Sequence, residues 1–143
     1  LAAKVVAQLV ESKATLNDYK QRIESQDSIA YKKTIDKCKA SMKEITQLVD
    51  LFLGKEDKRQ GIVRNPAQTV MTRISTARRY VYSRPDGITG TEEVLMQHAS
   101  TATNDAVKKV NDFYKNNWEA LQQEIESIEL SAFKAVEYFD LEK

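Results

Sequence analysis

Residues 31–52, YKKTIDKCKASMKEITQLVDLF, carry the most regular hydrophobic pattern in the chain. The apolar positions follow one another in alternating steps of four and three residues, and they are Tyr31, Ile35, Cys38, Met42, Ile45, Val49 and Phe52. This spacing places all of them on one stripe of an α-helix, with mostly charged and polar residues between. Such a helix is not stable alone in water, so other helices must cover its stripe. The stretch therefore predicts an all-α helical bundle.

The composition of the chain fits a small number of long helices. Its 143 residues suffice for one domain, and 41% hydrophobic with 30% charged residues is typical of a globular protein. Only four Gly and two Pro are present, which leaves few positions for turns. An all-β fold would need many more turn residues. We therefore expect one helical domain spanning residues 1–143.

The same spacing, followed along the chain, predicts an antiparallel four-helix bundle with helices at about residues 2–24, 28–53, 66–82 and 91–127. Polar residues 25–28 separate the first two helices, and so short a connection folds them into an antiparallel hairpin. Asp27 or Ser28 can then cap the second helix. The alternative is one unbroken helix through Gln26, which would bury its stripe only by dimerising.

The other three helices show stripes of the same kind. The residues expected to face the core are Val5, Leu9, Leu16, Tyr19 and Ile23 in the first helix, Val70, Ile74, Ala77 and Val81 in the third, and Val94, Leu95, Ala99, Ala102, Ala106, Val110, Phe113, Leu121, Ile125 and Ile128 in the fourth. The stripe of the fourth helix shifts around the helix axis near Trp118.

Three sequence signals mark where the later helices begin and end. Gly54 is placed to take the left-handed conformation that often closes a helix, here the second one, which we expect to end at Leu53. Asn65 and Pro66 are residue types of an N-cap and a first helical position, so we expect the third helix to begin there. Thr89 and Glu92 have the spacing of a capping box at the start of the fourth helix.

Two segments are not needed to close a four-helix core: the long loop between helices 2 and 3, residues 55–64, and the C-terminal tail, residues 130–141. Long loops are often functional, and aromatic side chains such as those of the tail are common in protein interfaces. We expect at least one segment to contact a neighbouring domain of the parent protein or a second copy of this chain. The alternative is that both cover the ends of the bundle's own core. The candidate partner-binding residues are Arg59, Ile62, Val63, Arg64, Phe133, Tyr138 and Phe139.

No motif in the sequence points to catalysis. Phosphate-cradling patterns such as GxxxxGK[ST] and GxGxxG are missing, and the single histidine, His98, rules out metal sites that need two imidazoles. The lone Cys38 cannot form an internal disulfide, and no apolar run reaches the about 18 residues of a membrane span. We therefore expect no enzyme activity, no cofactor, no bound metal and no membrane insertion.

Charge is unevenly distributed along the second half of the chain. Residues 55–90 contain eight basic and three acidic residues, whereas residues 91–143 contain five basic and eleven acidic ones. The first interpretation is that helices 3 and 4 neutralise each other along their shared edges. The alternative is a nucleic-acid-binding bundle that uses the basic loop and helix 3, with tyrosines as stacking surfaces for bases. The basic and aromatic residues of helix 3 are Arg73, Arg78, Arg79, Tyr80 and Tyr82.

Several short motifs give the chain a resemblance to a known family. They are Arg59-Gln60-Gly61-Ile62 with Asn65-Pro66, Thr91-Glu92 at a helix start, and Asn111-Asp112-Phe113 with Trp118. With these motifs on paired helices, the chain resembles the helical C-terminal region of bacterial proteins with sortilin-type (BNR-repeat) β-propellers, often labelled glycosyl hydrolases.

The resemblance implies that any hydrolase or binding activity belongs to the propeller. The helical region would then be an accessory module, located in the periplasm or outside the cell. This chain contains no Asp-box repeat (Ser-x-Asp-x-Gly-x-x-Trp), so no catalytic residue carries over. Because the chain opens on Leu1 and not on Met, we expect it to be part of a larger protein. The sequence thus predicts a non-catalytic accessory or interaction module of a larger secreted protein.

Overall fold

A computed structural model describes residues 1–55, 68–84 and 86–131, and every regular element within them is helical. The predicted all-α fold, a bundle of four helices, is confirmed. In chain order the elements are α1 (Ala2–Asp27), α2 (Lys32–Leu53), α3 (Val70–Tyr82), α4 (Gly90–Phe113), a π-helical turn (Tyr114–Trp118) and α5 (Glu119–Glu126). The last three follow one another without a break and form one helix about 55 Å long, hereafter the long helix. None of the helices in these ranges is both long and apolar enough to cross a membrane.

The first two helices form a hairpin, as predicted, and not one unbroken helix. α1 ends at Asp27, and the chain reverses direction before α2 begins. Asp27 Oδ1 accepts hydrogen bonds from the backbone N–H groups of Ile29 and Ala30, at 3.0 and 2.8 Å. The prediction that Asp27 or Ser28 caps α2 is wrong, because the N-cap residue is Tyr31, which makes no side-chain capping bond. The Asp27 side chain stabilises the turn instead.

The long helix lies against the α1–α2 hairpin, parallel to α1 and antiparallel to α2. Two helices are parallel when residues of increasing number on one contact residues of increasing number on the other. They are antiparallel when the contacted residues decrease in number instead. The side-chain hydrogen bonds that set these directions are Ser12 with Tyr114 (2.8 Å) and Gln26 with the Glu129 carbonyl (3.0 Å) from α1, and Thr34 with Glu124 (2.7 Å) and Glu44 with Asn117 (2.7 Å) from α2.

The long helix extends beyond the hairpin that it supports, and this divides the bundle into two parts. Ala2 and Phe52, at the open end of the α1–α2 hairpin, share a buried cluster with Ala106 of the long helix. From about Thr103 back to Gly90, roughly 20 Å, the long helix therefore continues past α1 and α2. α3 packs antiparallel on this extension. We call α3 and residues 90–103 the distal hairpin.

Two clusters of buried side chains form the core, and both include residues of the α2 stripe. Within that stripe Ile35, Cys38, Ile45 and Phe52 are buried, while Tyr31, Met42 and Val49 are half-buried against the clusters. The first cluster contains Ala2, Leu9, Ile45, Leu48, Phe52, Val70, Ala106, Val110 and Phe113; the second contains Leu16, Ile23, Ile35, Cys38, Leu121 and Ile125. The α2 stripe thus runs through the whole core, as its spacing predicted.

The π-helical turn corrects the phase of the apolar stripe along the long helix. Phe113 and Leu121 are both buried, yet eight steps of about 100° in an α-helix would turn them about 80° apart. A π-helical turn takes up one extra residue, so the separation becomes equivalent to about seven α-helical residues, or two turns. Both side chains then face the hairpin. The turn accounts for the shift of the sequence pattern near Trp118.

The end of α2 meets the start of α3, and both caps differ from the prediction. Gly54 has a positive φ, +85°, but its ψ of 165° is extended and not the left-handed helical value that was expected. α3 begins at Val70 and not at Asn65–Pro66, because Thr69 and Thr72 satisfy each other's backbone N–H groups there, at 2.8 and 3.2 Å. A Cβ on residue 54 would lie 3.1 Å from Thr69 Cγ2, so glycine also permits the close approach of the two helix ends.

Two positions that we expected to face the core are largely exposed. Tyr19 is 40% exposed and Val94 is 49% exposed. Tyr19 lies at the edge of a groove between α1 and the long helix. Val94 lies on the distal hairpin, where α3 covers only one side of the long helix. Both residues are therefore available to form surfaces.

Candidate interaction surfaces

The residues predicted to bind a partner lie outside the described part of the chain. Arg59, Ile62, Val63 and Arg64 belong to residues 56–67, and Phe133, Tyr138 and Phe139 belong to residues 132–143. These assignments stay predictions. The described residues present two other surfaces, one on the distal hairpin and one between α1 and the long helix.

The outer end of the distal hairpin exposes large apolar side chains. The exposed fractions are 41% for Tyr80, 76% for Tyr82, 55% for Ile88, 49% for Val94 and 46% for Met96. Two packed helices bury only the strip along which they touch, so their outer faces stay in water. Soluble proteins rarely expose large contiguous apolar areas, and where such areas occur they often mark interaction sites. We call these five the tip residues.

The arginines of α3 lie beside the tip residues and have no acidic partner among the described residues. α3 contains Arg73, Arg78 and Arg79 and no acidic residue, and none of the three forms a salt bridge in the described ranges. Arg78 lies over the ring of Tyr82, 5.4 Å from its centroid. Arg79 lies over the ring of Tyr80 at 5.9 Å. Because none of these arginines forms a salt bridge to α4 within the described ranges, the expected neutralisation between helices 3 and 4 stays a prediction.

A capping box closes the start of the long helix, as the sequence predicted. The Thr89 backbone N–H donates to Glu92 Oε2 at 3.0 Å, and the Thr89 hydroxyl donates to the same oxygen. The hydroxyl bond is the main cause that lowers the pKa of the buried Glu92 carboxyl from its ordinary value. Arg84 Nε lies 3.4 Å from Glu92 Oε1, which joins the two ends of the turn between α3 and the long helix.

An apolar groove runs between α1 and the long helix, with a volume of about 240 Å³. Its lining residues are Thr15, Leu16 and Tyr19 from α1, and Trp118, Leu121, Gln122, Ile125 and Glu126 from the long helix. Leu16, Leu121 and Ile125 belong to the second core cluster, so the groove opens directly onto the core. A cavity of about 150 Å³ can hold benzene, and this groove is therefore large enough for an aromatic side chain.

The π-helical turn places Trp118 at the wall of this groove. The Trp118 ring contacts those of Phe113 and Tyr114, with centroids 6.3 and 5.8 Å apart. The Tyr114 hydroxyl in turn bonds Ser12 of α1. Sequence reasoning missed the groove, and its one signal was the shift of the apolar stripe near Trp118. π-helical turns are frequent at functional sites.

A charged cluster joins α2 to the long helix on the side away from the groove. Thr34 Oγ1 donates to Glu124 Oε1 at 2.7 Å, and Lys37 Nζ donates to Glu124 Oε2. The bond from Lys37, followed by that from Thr34, lowers the pKa of the Glu124 carboxyl from its ordinary value. Because every member pairs within the fold, the cluster stabilises the bundle and offers nothing to a ligand.

Within the described ranges, no group of three or more His, Cys, Asp or Glu residues could hold a metal ion. Cys38 is buried in the second cluster, and this burial is the main cause that raises the pKa of its thiol. A thiol with a raised pKa is a weak nucleophile. His98 is exposed on the distal hairpin.

Comparisons with protein-family models, with curated proteins and with solved structures find no match to this chain. The resemblance to the helical region of sortilin-type propeller proteins therefore stays a prediction. The geometry of the two surfaces is the basis for assigning a function.

Proposed function

We propose that this chain is a non-catalytic interaction module that docks on a protein partner through the end of its distal hairpin. The supporting observation is the combination of the exposed tip residues with arginines that form no salt bridge to any described residue. Tyr, Met and Arg are enriched in protein interfaces, and Tyr and Arg are common among the residues that dominate binding energy. The partner is a neighbouring domain of the parent protein or a second copy of this chain.

The chemistry of the tip indicates which surface it fits. Arginine pairs with carboxylates through two parallel hydrogen bonds, and Arg78 and Arg79 have no such pair within the described ranges. Each stacks on a tyrosine ring, which limits the rotamer freedom that binding would remove. Tyr82 and Met96 supply apolar area beside these charges. A partner surface that is acidic and partly apolar meets both requirements.

From the family resemblance we also propose that the parent is a bacterial extracytoplasmic protein with a sortilin-type β-propeller. In this proposal the propeller carries any hydrolase or binding activity, and the helical module packs on it. The gene sequence upstream of the Leu1 codon tests the assignment. Asp-box repeats there would support it, and a different domain would contradict it.

Side-chain oxidation by hydroxyl radicals tests the docking surface. Tyr82 and Met96 are exposed and chemically reactive, so both are labelled readily in residues 1–143 alone. In the full-length parent, or in a dimer of this chain, we expect their labelling to slow several-fold. Ile29, 87% exposed in the turn between α1 and α2, is the internal control and keeps its rate. Equal rates at Tyr82 and Met96 in both samples would contradict the proposal.

Variants separate docking from folding. Tyr82→Ser and Arg78→Glu change exposed side chains, so each should leave the free energy of unfolding within about 0.5 kcal/mol of the parent value. Each should weaken docking more than tenfold, measured against the rest of the parent protein or as a dimer dissociation constant. Lys33→Glu, an exposed charge reversal on α2, is the matched control and should leave docking unchanged.

Nucleic-acid binding is the second candidate function, favoured by the arginines of α3, which have no salt bridge within the described ranges, and by the neighbouring tyrosines. Against this candidate, Arg73 and Arg78 are five residues apart, and Arg78 and Arg79 are adjacent. At about 100° per residue, the three side chains point in different directions around the helix and do not line one groove. Measuring the binding of a mixed-sequence single-stranded oligonucleotide distinguishes nucleic-acid binding from protein docking. Sub-micromolar affinity at 50 mM salt that falls steeply by 200 mM would favour this candidate, since phosphate contacts release counterions.

A further inference from the structure

We propose that the partner of the tip residues is a second copy of this chain, and that the apolar groove between α1 and the long helix of that copy receives them. The inference rests on the proposed docking function and names its partner surface. Leu121 and Ile125 of the second core cluster line the groove, and so does the exposed carboxylate of Glu126. The groove is therefore both acidic and partly apolar, the two properties that the tip requires of a partner.

The two surfaces also fit in shape, because the tip protrudes and the groove is recessed. The distal hairpin continues roughly 20 Å past α1 and α2, and Tyr82 near its outer end is 76% exposed. The groove volume of about 240 Å³ admits a tyrosine ring. Tyr19 lines the groove from α1 and Trp118 from the long helix, so an entering ring meets an aromatic side chain from each helix.

The charges of the two surfaces are complementary. α3 contains three arginines and no acidic residue, whereas α5 contains three glutamates and no basic residue. Of these glutamates, Glu124 is bound by Lys37 on the far side of the long helix. Glu126 accepts a hydrogen bond from Gln122 at 2.7 Å and forms no salt bridge to a described residue. Arg78, which lies over the Tyr82 ring, would enter with it and find this carboxylate.

The tip cannot reach the groove of its own chain. The salt bridge between Arg84 and Glu92 fixes the end of the distal hairpin at the start of the long helix. From Glu92 to Trp118 the long helix rises about 40 Å at about 1.5 Å per residue. The contact therefore forms between two copies and joins unlike surfaces, so a variant can remove one surface and leave the other intact.

Trp118 reports on the groove, because it is the single tryptophan of the chain and lines the groove. Acrylamide quenching of residues 1–143 is measured over about a thousandfold range of concentration, alongside the molar mass from sedimentation equilibrium. As the mass rises above that of one chain, we expect the quenching constant to fall about twofold, since interface cores are densely packed. A rising mass with constant quenching would overturn the proposal, and so would a chain that stays single throughout.

An exchange of charges tests the pairing of Arg78 with Glu126. Arg78→Glu and Glu126→Arg should each weaken self-association about tenfold or more, since each places like charges opposite one another. The chain that carries both substitutions should regain most of the affinity, because opposite charges then face each other again. A double variant no tighter than the single ones would show that the two residues do not meet.

Thr15→Arg blocks the groove and leaves the tip unchanged. Thr15 is an exposed lining residue, so arginine there adds bulk and a charge that repels Arg78. We expect self-association to be lost while the far-UV circular dichroism stays helical. Asn17→Arg, exposed on α1 and not among the lining residues, is the matched control and should associate normally.

Self-association that survives Thr15→Arg would show that the groove is not the partner surface. This failure is distinguishable from that of the proposed docking function. If Tyr82 and Met96 are still protected from oxidation in the full-length parent, the tip docks on another domain and only the present inference is wrong. If neither residue is protected there or in the associated chain, both are wrong.

Discussion

Ser12 Oγ and Tyr114 Oη lie 2.8 Å apart, which joins the middle of α1 to the first residue of the π-helical turn. The Tyr114 ring also packs against those of Phe113 and Trp118, with centroids 5.4 and 5.8 Å away. One side chain thus sets the axial position of α1 along the long helix and supports the wall of the apolar groove.

Tyr114→Phe removes this hydrogen bond and keeps the aromatic contacts. We expect it to lower the free energy of unfolding by about 1 kcal/mol, the net contribution of a typical hydrogen bond. The loss is measured by urea denaturation. Tyr82→Phe is the control, since Tyr82 is 76% exposed, and it should leave the unfolding midpoint unchanged. Equal effects of the two variants would show that the bond to Ser12 has no energetic role.

Deleting one residue from the π-helical turn tests whether the turn sets the phase of the long helix. Without Asn116 the segment can become α-helical, and Phe113 and Leu121 still face the hairpin because seven residues complete about two turns. We expect a cooperative thermal transition with native helicity. Deleting Lys108, which is exposed within α4, rotates the two halves by about 100° and should abolish cooperative unfolding. Similar losses in both variants would contradict the phase argument.

Ile45→Asp tests the stripe of α2 at a fully buried position. Ile45 is 0% exposed in the first core cluster, so the variant places an unpaired carboxylate among apolar side chains. We expect a loss of about 3 to 5 kcal/mol in the free energy of unfolding, measured by chemical denaturation. Gln47→Asp introduces the same charge at an exposed position of α2 and serves as control. If Ile45→Asp melts within a degree or two of the parent, the core assignment fails.

Glu124→Gln should destabilise the bundle in a pH-dependent manner. The bonds from Lys37 and Thr34 lower the pKa of Glu124 in the folded state, so its carboxylate stabilises the fold above the unfolded-state pKa. We expect a difference of about 1 kcal/mol at pH 7, which shrinks as pH falls through the folded-state pKa. Denaturation series at several pH values measure it. A difference that stays constant, or grows, in acid would refute the assigned role.

Cys38 should label slowly in the folded protein. Its thiol is buried, and its raised pKa leaves less thiolate at a given pH. We expect its reaction with an aromatic disulfide reagent to be on the order of a thousandfold slower than in denaturant, because the fold must open first. The rate should keep rising above the pH at which an exposed thiol is fully ionised. Fast labelling under native conditions would place Cys38 at the surface.

The helices were predictable because each apolar stripe has a clear period. The stripe of α2, the turn after Asp27 and the capping box at Thr89 all follow from local residue types. The start of α3 was not predicted, because Asn65–Pro66 is a stronger sequence signal than the threonine pair that caps at Thr69. The residue types favoured at a helix start do not alone determine where a helix begins, because packing against neighbouring helices also restricts the position of its first residue.

The surfaces were less predictable than the helices. A stripe shows which side of a helix is apolar but not which helix covers each part of it. We therefore expected Val94 to be buried, although α3 leaves exposed the side of the long helix on which Val94 lies. The groove beside Trp118 depends on how α1 sits along the long helix, which is set by contacts such as Ser12–Tyr114 between distant parts of the chain. No local pattern encodes such a register.

During synthesis, the second core cluster cannot form until the end of the long helix has been made. Leu16 and Ile23 of the first hairpin need Leu121 and Ile125 to cover them, and these belong to the last helical turns of the described chain. A ribosome adds roughly 5 to 20 residues per second, so Ile125 follows the end of α2 by about 4 to 14 seconds. Throughout that interval the nascent α1–α2 hairpin carries an uncovered apolar face. Transiently exposed apolar surface of this kind promotes aggregation during folding.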